Sequence, residues 1–478
     1  MTNKFYVTCA IPYVNARPHI GHALEFVQGD AIARYQKLRG RQVLFLSGGD
    51  ENALKNVQAA QDAQTPVQQF VDRNSGLFRT LAENLDVQFD VFQKGSDREK
   101  HYPASQKLWQ LCAGSGDIYE KEYEGLYCVG CEAFYTPDEL DENGECFEHP
   151  GKKLDTVREK NYFFRLSRYR ETLTDIIRGT HSGYGRLRII PEKRENEILA
   201  FLARGLTDIS ISRSNERAKN WGVPVPGDPT QRIYVWFDAL NIYQSGAGFG
   251  WNDSLYRKWW PADIHVIGKG ILRFHAVYWP AFLLSAKLPL PKSIFVHEYF
   301  TVNGQKMSKT LGNVIDPNQI ISKFGSEAVR YYLLAKFSPF ADGDFSEPEF
   351  TKTYNSDLAN GLGNLVSRVA ALAQRLKITP DDGKRTLLLK SFGDQYQFNL
   401  ALETIWKVIK ECDVRINERR IWTLSGGEKS AALDDIIRDI RNISYNLTPF
   451  LPRTAGIITD QFKGSDIPKR DPLFPRIG

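Results

Sequence analysis

Apolar residues follow two different rhythms along the 478-residue chain. Phe5 to Ile11 is a near-continuous apolar run, the pattern of a strand buried on both faces. Gly21 to Leu38 places Leu24, Val27, Ala31, Tyr35 and Leu38 at helical spacing and stops before Gly40. Gln42 to Ser47 predicts another strand, ending at Gly48-Gly49-Asp50, and Thr65-Pro66 opens a further helix. Strand, helix, strand with glycines at the strand exits predicts an α/β fold. Residues 1–114 then form the first half of a Rossmann-like, doubly wound parallel sheet.

The rhythm breaks near 115–160, a polar, turn-rich stretch that holds the clustered cysteines, so 115–230 reads as a connective insertion. Alternation resumes over 231–345, with strands at Ile233 to Asp238, Ile264 to Ile267 and near Ile294 to Val296, and a helix at Ile271 to Leu284. Beyond residue 345 the strand signals fade. Leu358 to Leu376, Gln397 to Ile416 and Leu433 to Leu451 are apolar at helical spacing, which predicts an all-α helical bundle over 346–478. The proline-rich tail KRDPLFPRIG reads as an irregular strap that packs back on the chain. No internal repeat or low-complexity tract interrupts this plan.

Composition narrows the class only a little. The length accommodates roughly two to four domains and a large core. A hydrophobic content of 42% and a charged content of 25% are those of an ordinary globular protein. No apolar run is long enough to span a bilayer. The start, MTNKFYVTCAIPY, reads directly as a strand and lacks the regions of a signal peptide, so a cytoplasmic protein is expected. The net charge of +5 permits a polyanionic partner without demanding one.

The six cysteines say more. Cys9, Cys112 and Cys412 are scattered and read as buried apolar fillers. The others cluster, and without a secreted context the cluster points to metal rather than to disulfides. Cys128-x2-Cys131 followed by Cys146-x2-His149 is a four-ligand set separated by a short turn-rich spacer. Three thiolates and an imidazole suit tetrahedral Zn2+ with no open position, hence one structural zinc per chain.

Two short motifs carry the candidate chemistry. His19-Ile20-Gly21-His22 falls where a strand gives way to a helix, a place where backbone N–H groups and the helix dipole favour phosphate. Gly21 lets a nucleotide approach, and His19 and His22 supply donors for α-phosphate oxygens. Lys306-Met307-Ser308-Lys309-Thr310 follows Val302-Asn303-Gly304-Gln305. Lys306 and Lys309 on a glycine-hinged loop can follow a departing pyrophosphate as flexible point charges. Phosphoryl chemistry needs positioning and charge stabilisation more than covalent help. The pair of motifs therefore predicts transfer of an adenylyl group to a carboxylate.

Carried by these residues, the chain resembles the methionyl-tRNA synthetase family of class I aminoacyl-tRNA synthetases. The likeness runs from VTCAIPYVNARPHIGHA through YEGLYCVGCEAFYTPDEL, NYFFRLSRY, YVWFDALNIY, ILRFHAVYWPAFL and VNGQKMSKTLGN to DLANGLGNLVSR, in the family's order. The resemblance implies that the carboxylate of L-methionine attacks the α-phosphate of ATP, with Mg2+, to give methionyl-adenylate and pyrophosphate. The adenylate then acylates the 2′-hydroxyl of the terminal adenosine of tRNA(Met), initiator tRNA included. By motif, His19, His22, Lys306 and Lys309 are the catalytic set, and Gly21, Gly268 and His297 join them at ATP. Ala10, Ile11, Tyr13, Asp50, Trp236, Ala239, Tyr243, Ile271 and His275 match the methionine pocket, with Asp50 receiving the ammonium group. Asn364 and Arg368, one helical turn apart, and Trp422 match the family's anticodon readers. Aromatic faces with Tyr13 and His275 as light donors suit a soft thioether. Single-stranded loops are commonly read by stacking and base-edge hydrogen bonds.

Several positions depart from the family pattern. Thr310 stands where Ser is usual, Asn52-Ala53 where His-Gly is frequent, Gly270 where an aspartate often follows Gly-Lys, and Leu240 where some members have proline. The chain carries no appended tRNA-binding domain after the bundle, so a monomer is expected. Isoleucyl, valyl and leucyl enzymes need a large editing insertion, and a cysteinyl enzyme needs an open zinc. A non-catalytic tRNA-binding paralogue should have lost a motif histidine or lysine. A small-molecule adenylyltransferase has no need of Asn364, Arg368 and Trp422.

Overall fold

The computed structural model describes residues 3–131, 133–135, 137–146, 151–302, 304–307, 313–389 and 392–477. It divides into two compact units. The first comprises Met1–Pro18, Gln42–Thr80 and Gln88–His297, and the second His19–Arg41, Leu81–Val87 and Glu298–Gly478.

The first unit is built on a six-stranded sheet in the spatial order Val91–Lys94, Gln42–Gly49, Lys4–Cys9, Ile264–Gly268, Ser293–His297 and Arg188–Ile190. Every neighbouring pair is parallel. The central strands are buried on both faces, which is why they read as unbroken apolar runs rather than alternating ones. The strand order reverses between Lys4–Cys9 and Ile264–Gly268, whose register runs from Val7 opposite Ile264 to Cys9 opposite Val266. In a doubly wound sheet, ligands bind beyond the carboxyl ends of strands at such a switch point. The residues just past those ends are Ala10 to Tyr13 and Lys269 to Ile271.

The cysteine-bearing stretch folds as a long antiparallel hairpin. Ile118–Cys128 pairs with Asp155–Phe164 from Ile118 opposite Phe164 to Tyr127 opposite Asp155. Ala133–Tyr135 and Ile209–Ser210 extend this into a four-stranded sheet, and Cys128 sits at its far end.

One expected strand is mostly a helix. Asp228–Ile233 is the strand, and Val235–Leu240 turns helical, with every residue from Val235 to Leu240 buried. A short, fully buried apolar run has no polar face to set its period, so strand and helix look alike in sequence. The expected helix Ile271 to Leu284 is in three pieces: a 3-10 turn at Lys269–Ile271, a π-helical stretch at Phe274–Tyr278, and an α-helix at Trp279–Ser285.

The second unit is mainly helical. Phe398–Glu418 and Gly426–Leu447 are its long helices, and Ile405, Ile409, Cys412, Ile416, Leu433 and Ile440 line its core. The expected helix Leu358 to Leu376 begins as a π-helical segment, Tyr354–Gly363, and continues as Asn364–Leu372. The helix Ile20–Leu38 belongs to this unit. Its Asp30 is buried against the guanidinium of Arg330, 2.8 Å away. Arg330 is fully buried and also donates to the carbonyls of Phe450, Leu85 and Pro449. A small sheet joins Phe300–Val302 to Gln305–Lys306 and Gly343–Phe345. The tail is the strap its prolines suggested. Phe474 is buried edge-on to Tyr354, Arg476 donates to Asn360, and Asn355 exchanges two hydrogen bonds with the backbone of Ile477.

Candidate functional site

In the first unit, Ala10 continues the central sheet for one bond, donating its N–H to Val266 at 3.0 Å. The chain then leaves the sheet, and an isolated parallel bridge pairs Tyr13 with Asp50 at the exits of Lys4–Cys9 and Gln42–Gly49. Asp50 donates its N–H to Pro12 at 2.9 Å and accepts from the Asn56 amide at 2.8 Å through its carbonyl. Asp50 is thereby fixed, buried, beside Tyr13.

Trp236 faces this corner from the helix Val235–Leu240. Tyr13 meets its ring edge-on at 6.2 Å, and Phe274 stacks flat on it at 3.7 Å. The three rings form an aromatic wall. Phe274 is the member that motif reading passed over. Seven of the nine residues of ILRFHAVYW are apolar or aromatic, and only the π-helical turn decides which ring joins Trp236. Such turns are frequent at functional sites. Ala239 is buried on the same helix as Trp236.

His275 and Tyr243 sit deeper. The Nδ1 of His275 lies 2.9 Å from the Ile271 carbonyl, which can only accept, so Nδ1 carries the proton. Nε2 is then the acceptor for the Tyr243 hydroxyl at 2.8 Å. Burial holds the imidazole down to about 4, against the opposing pull of the Ile271 bond, so it is neutral at ordinary pH. Both ring nitrogens are engaged, which makes His275 a buttress for Tyr243 and Ile271 rather than a donor to a thioether. His265 stacks on Tyr243 at 4.5 Å and bonds Thr8 at 2.6 Å, and burial pushes it well below the ordinary histidine range.

Asn52, a departure from the family pattern, has a clear structural role. Its amide donates to Gly95 at 2.7 Å and to the buried carboxylate of Asp238 at 2.6 Å. The other oxygen of Asp238 accepts from Ser105 at 2.6 Å and lies 2.8 Å from His101. Gly268 and His297 are register partners on adjacent strands of the central sheet.

The cysteine cluster lies in the same unit. The Sγ atoms of Cys128, Cys131 and Cys146 lie within 4.8 Å of one another, and two of the three residues are buried. Cys128 and Cys146 are 3.2 Å apart, Cys131 and Cys146 3.7 Å. None is in a disulfide. Three converging thiols at the end of a hairpin fit a thiophilic ion such as Zn2+. His149 lies outside the described residues.

In the second unit, the two motif histidines cap the helix Ile20–Leu38 with each other. His19 is the N-cap and accepts the Gly21 N–H through Nδ1 at 3.1 Å, while Nδ1 of His22 accepts the His19 N–H at 3.1 Å. This is a capping box built from imidazoles. Their rings are 3.9 Å apart. With both Nδ1 atoms accepting, each neutral ring carries its proton on Nε2, the donor a phosphate oxygen needs. A Cβ on Gly21 would come within 3.0 Å of the His19 ring and 3.9 Å of the Met307 methyl, so any other residue would disturb the cap. Ile20 N–H bonds the Ile315 carbonyl at 3.2 Å, which holds the far flank of the second motif near the first. Gly304, at φ 75°, turns Phe300–Val302 into Gln305–Lys306, and its N–H bonds Asp344 at 2.8 Å. Lys306 ends that strand, with its side chain outside the described atoms, and Lys309 lies outside the described residues.

Asn364, Arg368 and Trp422 also fall in the second unit. Asn364 is exposed, Trp422 is 49% exposed, and the Arg368 guanidinium lies 5.4 Å from the Trp422 ring centroid. Arg368 is steadied by Asn417 at 2.7 Å. A large aromatic left half in solvent beside an arginine has the chemistry to stack a base.

Three comparisons bear on this geometry. The family described as tRNA synthetases class I (M) matches residues 5–370. The chain is 38% identical to the methionine–tRNA ligase of Thermotoga maritima, over 98% of this chain and 77% of that protein. It is 37% identical to that of Brucella suis, over 99% and 98%. Among solved structures it resembles Mycobacterium tuberculosis methionyl-tRNA synthetase in complex with methionyl-adenylate, with TM-score 0.90, 35% identity and 100% of both chains covered.

Proposed function

The chain belongs to the class I tRNA synthetases of the methionyl family, and from that premise we propose how its own residues serve the reaction. It is a methionine–tRNA ligase, which activates L-methionine with ATP and transfers it to tRNA. The observation that carries the residue assignment is the aromatic wall of Tyr13, Trp236 and Phe274 beside the buried Asp50. Asp50 receives the ammonium group. The wall accepts the thioether, whose polarizable sulfur favours ring contacts. Tyr243, held by His275, closes the pocket floor with Ile271, and Ala10, Ile11 and Ala239 shape its apolar sides.

In the first step a carboxylate oxygen of methionine attacks the α-phosphorus, and the bond to pyrophosphate breaks. His19 and His22 donate through Nε2–H to α-phosphate oxygens as charge builds there. Gly21, Gly268 and His297 complete the nucleotide contacts, and Lys306 and Lys309 take up the departing pyrophosphate, whose charge Mg2+ brought in with ATP would help to neutralise. The 2′-hydroxyl of the terminal adenosine then attacks the acyl carbon, and AMP leaves. Cys128, Cys131, Cys146 and His149 would hold Zn2+ in a structural role, and the metal would stiffen the hairpin end. Asn364, Arg368 and Trp422 read the anticodon of tRNA(Met). A monomeric, cytoplasmic enzyme that charges initiator and elongator tRNA completes the reading. Light scattering and charging of each tRNA check it. No helix among the described residues is long and apolar enough to cross a membrane.

The test of the pocket is pyrophosphate exchange into ATP with a panel of amino acids. Exchange with methionine, strongly reduced by Trp236→Ala and Asp50→Asn, is the expected result. Unchanged exchange in those variants would remove the pocket assignment.

A further inference from the structure

The helix Leu54–Asp62 begins poorly for a helix. Its N-cap, Ala53, supplies no side-chain bond, and its second residue is Lys55. A cation in the first turn opposes the helix dipole, which favours acidic side chains there. The ammonium of Lys55 makes other use of its position. It lies 3.1 Å from the centroid of the Tyr13 ring and donates to the Gly130 carbonyl at 3.0 Å. Gly130 stands between Cys128 and Cys131, so one side chain joins the face of the pocket tyrosine to the backbone of the cysteine knuckle. Two more bonds tie the same region to the same wall. Trp236 donates its indole N–H to the Cys131 carbonyl at 3.2 Å. Arg273, adjacent to Phe274, pairs with Glu139 at 3.0 Å. Each ring of the aromatic wall is thus linked, directly or through its neighbour, to the metal-binding hairpin end.

We propose that Lys55 is a positioning residue for methionine. It pins the Tyr13 ring to the knuckle backbone, so that the metal-loaded knuckle holds the aromatic wall in its substrate-binding shape. This rests on Tyr13 and Trp236 being the methionine pocket. Lys55 acts through Tyr13, and the nucleotide is held by other residues, so its loss falls on methionine and not on ATP.

The test uses the full chain with Lys55→Met, which keeps the stem and removes the charge, and Lys55→Arg, which keeps a cation that stacks on rings and donates. Methionine binding is followed by tryptophan fluorescence, turnover by pyrophosphate exchange, and bound zinc by mass spectrometry. Lys55→Met should raise the Kd and KM for methionine about 10-fold, equivalent to about 1.4 kcal/mol, with KM for ATP and zinc content unchanged. Lys55→Arg should recover most of the loss. Chelation should weaken methionine binding in the wild type, and weaken it less in Lys55→Met, where the link is already cut. A methionine Kd in Lys55→Met within about twofold of wild type overturns the proposal, as does an equal rise in KM for ATP. If Lys55→Met loses its metal, Lys55→Gln decides, since it keeps a donor for Gly130 and lacks the cation over Tyr13. An unchanged Kd there also overturns the proposal. Should the wild type show no methionine-dependent exchange, the pocket assignment itself fails. Normal wild-type exchange matched by Lys55→Met removes the positioning role alone.

Discussion

His275 shows how much of the pocket is set by protonation. In the folded chain burial holds its imidazole down to about 4. In the unfolded chain a histidine takes up its proton near the ordinary value of about 6.5. The folded pKa is depressed, so this contribution to stability is fully present above about pH 6.5 and is lost as pH falls toward about 4. The span corresponds to a loss on the order of 3 kcal/mol. His265, also driven down by burial, acts in the same direction. Denaturant unfolding between pH 7 and pH 4 should show a steep loss of stability, and His275→Gln should flatten part of it. A variant with the wild-type slope would refute the neutral-imidazole assignment. The sequence made His19, His22, Trp236 and the cysteines legible because each sits in a spaced motif. It could not show that His275 has both nitrogens occupied, since Ile271 and Tyr243 reach it through a helical turn and a distant segment.

At the level of elements, the strands and long helices were legible because their apolar periods are unambiguous. Gln42–Gly49, Ser293–His297 and Phe398–Glu418 all fall close to the expected limits. Val235–Leu240 misled because it is buried all round and too short to display a period. The π-helical turns at Phe274–Tyr278 and Tyr354–Gly363 left no mark in composition, and with the first of them Phe274 escaped notice. Nor does any motif announce that Asp30 of the helix Ile20–Leu38 meets Arg330 of the helix Ser326–Ala335. That buried pair also satisfies three backbone carbonyls through Arg330. Asp30 keeps a second partner, because Arg34 donates to the same carboxylate oxygen at 2.7 Å, so losing Arg330 strands the three carbonyls more than the carboxylate. Arg330→Met should therefore lower the melting temperature sharply, and adding Asp30→Leu, which removes the partner of Arg34, should recover little of the loss. If the double variant melts well above the single one, the carboxylate and not the three carbonyls is the source of the damage.

Taken as a whole, the molecule divides its tasks between units. The aromatic wall proposed for methionine and the cysteine cluster lie in the first, the histidine cap and the exposed Trp422 in the second. Residues proposed for activation fall in both units, whereas Trp422 is proposed for tRNA alone, so its loss should part the two activities. Trp422→Ala removes a stacking surface worth about 1–3 kcal/mol per base, so kcat/KM for tRNA charging should fall about 5-fold to 150-fold. Pyrophosphate exchange with methionine should stay at the wild-type rate. A parallel fall in both activities would mean that Trp422 supports the fold rather than the anticodon.

The place of the Met307 methyl near Gly21 has a practical consequence. The chain holds two methionines, Met1 and Met307. Growing the protein on methionine carrying an isotopic label in its methyl group therefore gives a spectrum of two resonances. One belongs to the chain start. The other lies 3.9 Å from where a Cβ on Gly21 would stand, a point only 3.0 Å from the His19 ring, so its frequency should respond to a rearrangement of the histidine cap. A titration with ATP, with no other labelling, would then follow the histidine cap through a single methyl of the amino acid that the enzyme activates.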